Sequence, residues 1–260
     1  MNLADVTPLI LTYNEAANLE RTLEPLAWAR RIVVVDSGST DGTSAIARKH
    51  ANVEVFDRRF DRHASQWNFG LLETRIDTEW VLALDADYVL TAEFVEELKR
   101  LEPPADVSGY RAPFRYCVDG RALRASLYPP VTVLYRRRLG RYLQDGHTQR
   151  LRTEGRVLEF HSFIRHDDRK AFSRWRRNQD AYMRLEADSL SRASWRDLSP
   201  QDKARRALVA APLAFLYCLF VKGLWREGLP GLKYSLQRTL AEAMLTRRLA
   251  QRYLGMGGPS

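Results

Sequence analysis

The sequence predicts an α/β fold: a sheet of buried strands covered by helices on both faces, with a helical, basic segment behind it. Three observations predict it. Short apolar runs recur through the first hundred residues and alternate with stretches of helical spacing. The runs are apolar on both sides, as in a parallel sheet buried on both faces. Three of them end in acids or amides, at Thr12-Tyr13-Asn14-Glu15, Asp36-Ser37-Gly38 and Asp85-Ala86-Asp87. Sheets of this class bind ligands there, beyond the carboxyl ends of the strands.

Residues 6–12 (VTPLILT) read as the first strand. Residues 14–29 follow with apolar positions at Ala17, Leu19, Leu23, Leu26 and Ala27, a helix for which Asn14 is the expected N-cap. Residues 31–36 (RIVVVD) are the second strand, three valines bounded by charge, and SGSTDG (37–42) is a turn. A short helix is expected over 44–50, a third strand over 53–56, a helix over 65–75 and a fourth strand over 80–84 (WVLAL). Residues 92–101 form a helix carrying Glu93, Glu96 and Glu97, and Pro103-Pro104 ends this half. Residues 110–116, 131–135 and 157–164 are the next expected strands. Residues 170–203 read as helical, with Trp175, Tyr182, Met183 and Leu185 as a buried stripe. Residues 207–221 are fifteen positions without a charge, and 232–254 form a basic amphipathic helix.

The chain has 260 residues, 45% of them hydrophobic, enough for a sizeable core and too many for disorder throughout. Two cysteines, Cys117 and Cys218, cannot build a disulfide framework or a structural zinc site. They point to a reducing compartment. The opening residues lack the basic and then long apolar pattern of a secretory signal. The net charge of +9 is uneven. Residues 1–110 carry 11 Lys+Arg against 19 Asp+Glu, a net −8, and residues 111–260 carry 30 against 13, a net +17. That asymmetry points to an anionic partner for the back half.

Asp85 and Asp87, two apart just past a buried strand, project to one face if the strand geometry persists. Two such carboxylates are costly unless something positive binds them. A divalent cation bridging to phosphate oxygens accounts for the pair, and a solvated surface turn is the alternative. In DSGSTDGT (36–43), Gly38 and Gly42 permit tight turns, and Asp36 is placed to accept hydrogen bonds from a ribose or a base. The alternative is an ordinary strand-to-helix turn. No Gly-Lys-Ser/Thr follows, so it is not a Walker loop.

Four stretches in order, TYNE (12–15), VVDSGSTDGT (34–43), ASQWNFG (64–70) and LDADY (84–88), resemble the family 2 glycosyltransferases, closely over residues 6–90 and loosely over 6–170. Within that family the chain resembles the short bacterial enzymes, akin to beta-1,4-glucosyltransferases, that add a sugar to lipopolysaccharide core or other envelope glycans. The resemblance implies a GT-A fold, a Rossmann-like nucleotide-binding mixed sheet with flanking helices, over residues 1–170. Residues 1–104 would be the nucleotide-sugar half, 105–170 the acceptor half, and 171–260 a C-terminal helical, membrane-associated region. It implies inverting transfer from a nucleotide sugar, a UDP-sugar foremost, to a glycan or lipid-linked acceptor. By motif match, Thr12, Tyr13, Asn14 and Glu15 line the nucleotide pocket, Asp36 holds the nucleoside and Asp85 faces the ribose or sugar. Asp87 binds Mn2+ or Mg2+ on the diphosphate, and Gln66 and Asn68 line the donor site.

The loop QDGHTQ (144–149) resembles the family's acceptor-side loop, which carries a carboxylate base. Inversion needs a base for the acceptor hydroxyl. Asp145 is the matching carboxylate and Glu154 the second choice, although Thr148-Gln149 stand where many relatives have an acid. His166, in FIRHDD, resembles the late histidine that completes metal coordination, and neutral imidazole suits Mn2+. His63 and His161 are read as structural. Arg136 to Arg138 are candidates for acceptor phosphates.

Residues 207–221 are too short to cross a bilayer and are interrupted by Pro212. Lys203, Arg205, Arg206, Lys222 and Arg226 flank them, with Tyr217 and Trp225 as interfacial types. That pattern predicts an in-plane segment on an anionic membrane, on the cytoplasmic face of the bacterial inner membrane, with a buried helix as the alternative. Nucleic acid is the rival partner, but no zinc finger, RNP motif or helix-turn-helix spacing is present. A haloacid dehalogenase-type phosphatase would use Asp85 of DADYV as nucleophile, yet three strands precede that motif here. A nucleotidyltransferase would want a Gly-rich basic loop after the first strand. A non-catalytic module of the same fold is the remaining alternative.

Overall fold

The computed structural model describes residues 1–145 and 148–254. They form two compact units, one of Met1–Cys117 with Tyr128–Arg169, the other of Val118–Leu127 with the chain from Lys170 onward.

The first unit is built on β1 (Val6–Thr12), buried at every position except Leu11. The helix expected over 14–29 is shorter than its apolar spacing suggests. α1 spans Leu19–Leu23 and passes into a 3-10 turn, Glu24–Leu26. Pro25 is the reason, because its ring removes a hydrogen bond and clashes with the preceding turn. Asn14 is not the N-cap: its φ of 55° is left-handed, and Asn18 takes the cap position. β2 (Ile32–Asp36) is wholly buried, and α2 (Thr43–Ala47), β3 (Val53–Asp57), α3 (His63–Leu72) and β4 (Trp80–Asp85) follow as expected. β5 (Tyr88–Leu90) leads into α4 (Ala92–Arg100), which Thr91 caps by accepting from the Phe94 amide at 3.2 Å.

The expected strand over 110–116 is split by Pro113 into β6 (Val107–Ala112) and β7 (Phe114–Val118). The short β8 (Arg121–Ala122) belongs to the second unit. β9 (Val131–Arg136) is as predicted, but the hairpin of β10 (Gly140–Asp145) and β11 (Thr148–Thr153) is not. Its arginines and glutamines conceal the alternation that marks a strand. The run 157–164 divides into β12 (Arg156–Glu159) and β13 (Ile164–His166). Between them the His161 and Ser162 amides turn to donate to the Glu97 carboxylate, at 2.8 and 2.7 Å.

Seven strands form the main sheet in the order β12-β6-β9-β4-β1-β2-β3. β4, β1, β2 and β3 are parallel, but β9 runs antiparallel to both β4 and β6, so the sheet is mixed. Successive residues feed opposite layers, as the period of two requires. Ile10, Val34 and Leu82 join Phe94 and Leu98 on one face. Leu9, Val33 and Val81 join Trp67 and Leu71 on the other. α3 lies close to β1 because Gly70 has no Cβ: one would stand 2.6 Å from the Leu9 side chain.

The second unit holds α5 (Phe172–Arg192), α6 (Pro200–Arg206), α7 (Ala210–Leu216) and α8 (Leu229–Tyr253), with a π-helical turn, Tyr217–Val221, after α7. Its core is Ala187, Leu190, Leu198, Leu245 and Leu249, with Met183 packed against it. The stripe expected on α5 is therefore rotated: Met183, Ala187 and Leu190 face inward, and Tyr182 and Leu185 are 40% and 49% exposed. Segment 118–127 hooks onto this unit through the Leu127 amide, which donates to the Tyr234 hydroxyl at 2.8 Å. Among the described residues no helix is long and apolar enough to cross a membrane. Cys117 and Cys218 are buried free thiols, and burial, with Asp167 nearby, pushes the Cys117 thiol up to about 11.

Candidate active site

The carboxyl ends of β1, β2 and β4 meet at one edge of the sheet. The parallel register pairs Thr12 with Asp36 and Leu11 with Asp85, so chemistry from positions far apart in sequence converges there.

Asp36 is almost completely buried, and four donors converge on its carboxylate. The hydroxyls of Thr12 and Ser39 donate to Oδ1, both at 2.6 Å, and the amides of Ser39 and Gly38 donate to Oδ2 at 2.7 and 3.1 Å. A carboxylate has about four acceptor sites, so this one is filled by its own loop. Gly38 and Gly42 adopt φ of 86° and 88°, which turns the loop back towards α2. Asn14 closes the other side. Its left-handed backbone aims its amide at Ser39 Oγ (2.7 Å) and its Oδ1 at the Thr40 amide (2.7 Å). The Glu15 amide donates to Thr43 Oγ1 at 2.7 Å. Burial works against ionised Asp41, but hydrogen bonds from Thr43 and the Ala16 amide hold its carboxyl below the usual range. Residues 12–15 and 36–43 thus form one cradle, above which the Tyr13 ring is 56% exposed.

Gln66 and Asn68 are brought to this region by α3, and their amides are engaged inside the protein. Gln66 Nε2 donates to Ser37 Oγ and to the Arg58 carbonyl, both at 2.9 Å, and its Oε1 accepts from Arg58. Asn68 clips β10 at both ends of its amide, donating to the Tyr142 carbonyl at 2.8 Å and accepting from the Tyr142 amide at 3.0 Å.

Beyond β4, Asp87 Oδ2 lies 3.3 Å from His166 Nε2. β13 delivers the imidazole by pairing with β5, His166 opposite Tyr88. The turn is held by its backbone: the Asp167 amide donates to the Asp87 carbonyl at 2.9 Å, and Thr22 Oγ1 to the Ala86 carbonyl at 2.7 Å. Tyr88, Tyr116 and Tyr128 surround the His166 ring, with centroids at 5.4, 5.1 and 4.6 Å, and the Tyr88 and Tyr128 hydroxyls bond each other. Burial, reinforced by Asp85, raises both phenols, so they stay protonated. Burial opposes charge on His166, but Asp87, Asp85 and Asp168 outweigh it and raise its pKa above the ordinary value.

Whether these groups suit a divalent ion is decided by their donor chemistry. A carboxylate oxygen and an imidazole nitrogen converge, and Nδ1 of the same ring is buried without a hydrogen-bond partner. No group of three or more potential ligands is assembled among the described residues. The Asp87 carboxylate oxygen and the His166 imidazole nitrogen are donors of the type that suit an ion such as Mn2+.

The Asp145 carboxylate lies outside the described residues; its backbone ends β10. Arg136, read as a candidate for acceptor phosphates, is committed elsewhere. It donates to the Val107 carbonyl at 2.9 Å, pairs with Glu79 and lies over the Trp80 ring. Sequence reasoning missed the brace behind the site. Arg21 Nη1 pairs with Asp167 at 2.5 Å, and Asn18 Nδ2 donates to Glu15 and Asp168 at 2.8 and 2.9 Å. The acids of FIRHDD were visible as a motif, but their partners lie about 150 positions away.

The sequence profile of the family described as Glycosyl transferase family 2 matches residues 9–172. A "Lipopolysaccharide core biosynthesis glycosyltransferase LpsC" of Rhizobium meliloti (strain 1021) is 26% identical over 270 residues, 95% of this chain and 93% of that one. An uncharacterized glycosyltransferase of Rickettsia bellii (strain RML369-C) is 34% identical over 95 residues, 36% of this chain and 31% of that one. Among solved structures, glucosyl-3-phosphoglycerate synthase from Mycobacterium tuberculosis in complex with phosphoglyceric acid has 18% identity and a TM-score of 0.48, covering 72% of this chain and 79% of its own. S. aureus TarS 1-349 in complex with UDP-GlcNAc has 17% identity and a TM-score of 0.46, covering 98% and 93%.

Proposed function

The chain belongs to glycosyl transferase family 2, and we propose that it moves a sugar from a nucleotide sugar, a UDP-sugar, to a lipid-linked glycan of the cell envelope such as lipopolysaccharide core. The observation that carries this reading is the convergence of the Asp36 cradle with Asp85, Asp87 and His166 at one sheet edge. Similarity to the Rhizobium enzyme along nearly the whole of both chains supports the acceptor class.

The proposed roles follow from placement. Thr12 and Asp36 set the floor of the nucleoside pocket, with Asn14 and Glu15 locking its loops and the exposed Tyr13 ring available to the base. Gln66 and Asn68 hold the Ser37 and Tyr142 sides of the donor site in place. Asp85 faces the ribose or the sugar. Asp87 and His166 would hold Mn2+ or Mg2+, which when bound supplies positive charge to the leaving diphosphate. Asp145 takes the acceptor proton as the hydroxyl oxygen attacks the anomeric carbon from the face opposite the diphosphate. The bond to the diphosphate breaks with its electron pair, and the configuration inverts. The test is a panel of UDP-, GDP- and dTDP-sugars with Mn2+. Metal-dependent nucleotide release from a UDP-sugar, lost in Asp85→Ala/Asp87→Ala, is expected; release from none of the donors would overturn the reading.

For the second unit we propose a membrane-surface role at the cytoplasmic face of the inner membrane. Leu213, Leu216, Phe220, Val221, Trp225 and Leu229 are each 50–69% exposed, next to Lys222 and Arg226. Apolar side chains clustered among cations are the pattern of an in-plane anchor. Phe220→Asp/Val221→Asp is expected to lower partitioning to phosphatidylglycerol vesicles by at least about tenfold, as loss of two buried side chains predicts. Unchanged co-sedimentation would sink this role.

A further inference from the structure

We propose that the groove between α5 and α8 binds a phosphate group carried by an acyl-chain lipid. The proposal deepens the membrane-surface reading and rests on it for the acyl chain; the phosphate contact stands on the groove itself.

The groove has a cavity of about 560 Å³. Arg176 and Arg177 enter it from α5 and Arg247 and Arg248 from α8, over a floor that includes Leu240 and Met244. Helical spacing explains the assembly: positions 240, 244, 247, 248 and 251 share one side of α8. Asp180 is the lining carboxylate, and it is already committed. It receives Arg248 at 2.8 and 2.7 Å and Arg184 at 3.4 Å. Among the described residues no ion pair engages Arg176, Arg177 or Arg247. Arg176, Arg177 and Arg247 are solvent-exposed, whereas the largely buried Arg205 of this unit is paired with Glu242, Glu186 and Asp202. Like charges held together in a groove repel one another, and a phosphate removes the repulsion while accepting several charge-assisted hydrogen bonds.

The apolar side of the groove points to a lipid. Leu232 and Leu236 precede Leu240 and Met244 at steps of four, and are 38% and 51% exposed. An exposed apolar stripe therefore leads along α8 into the arginines. A soluble phosphate ester would use the arginines and leave the stripe wet, whereas a phospholipid or phosphorylated glycolipid uses both.

The test uses the full chain and vesicles of phosphatidylcholine with and without phosphatidic acid, whose headgroup is a bare phosphate. Glycerol 3-phosphate is the soluble counterpart, and donor hydrolysis is read on the same samples. Wild type is expected to bind the phosphatidic acid vesicles at least about tenfold more tightly than phosphatidylcholine alone, from the loss or gain of charge-assisted contacts. Arg176→Gln/Arg177→Gln/Arg247→Gln should erase that difference, with donor hydrolysis and melting temperature unchanged. The single variant Arg177→Glu should weaken it in the same direction, and phosphatidic acid should slow amide exchange over residues 240–251 in wild type only. A triple variant that binds like wild type would remove the site and leave the Phe220 patch as the anchor. Glycerol 3-phosphate binding as tightly as the vesicles would overturn the lipid assignment. Absence of donor hydrolysis in wild type that still prefers phosphatidic acid vesicles would instead count against the transferase reading and leave the groove assignment standing.

Discussion

Asp87→Asn is expected to lower sugar transfer by about a thousandfold, the rate equivalent of roughly 4 kcal/mol, the scale of a metal's contribution to stabilising a leaving group. The change keeps the shape of the side chain and removes its charge. The turn should survive, because the Asp87 and Ala86 carbonyls anchor it through backbone and Thr22 hydrogen bonds that the substitution leaves in place. Calorimetry with UDP and Mn2+ should show the metal-dependent part of nucleotide binding lost and the metal-free part kept. Asp145→Asn should behave differently. Transfer should fall by about 10²–10⁴, the usual worth of a general base, while metal-dependent nucleotide binding stays intact. If Asp87→Asn turned over at the wild-type rate, neither the metal site nor its share of the chemistry would stand.

Arg205→Met is expected to destabilise the helical unit by about 3–5 kcal/mol, the usual cost of removing one partner of a buried ion pair. Its guanidinium holds Glu242 in a two-bond fork at 3.0 and 2.8 Å, and Glu186 and Asp202 at 3.2 and 3.1 Å. The Glu242 side chain is only 7% exposed, so it would be left as an uncompensated buried charge. Arg205→Met/Glu242→Leu should recover most of the loss, since replacing both partners by apolar groups avoids that penalty. Denaturant unfolding of the four variants in the cycle measures the coupling. A single variant as stable as wild type would mean that the network contributes little to this unit.

Much of the fold of residues 1–104 was legible in the residues themselves. Strands over 6–12, 32–36, 53–57 and 80–85 lie where the apolar runs place them, because short apolar runs bounded by turn residues are too short for a buried helix and pair readily as strands. The acids at the ends of those runs converge at one sheet edge. Elements whose outcome depended on a single backbone event were less legible. Pro25 cut short a helix that its apolar spacing favoured, and Pro113 split one strand into two. The β10–β11 hairpin was hidden because its strands are rich in arginine and glutamine.

By itself the sequence determined the α/β class, the buried strands and the carboxylates placed past their ends, since periodicity and apolar runs are local properties of the chain. Only the tertiary structure decided what those groups face. It filled the Asp36 carboxylate with its own loop, brought His166 to Asp87 from 79 positions away, tied Arg136 to Glu79 and gathered Arg176, Arg177, Arg247 and Arg248 into the groove between α5 and α8. Each outcome depends on strand register or helix packing between distant segments, and no local pattern encodes the partner of a side chain.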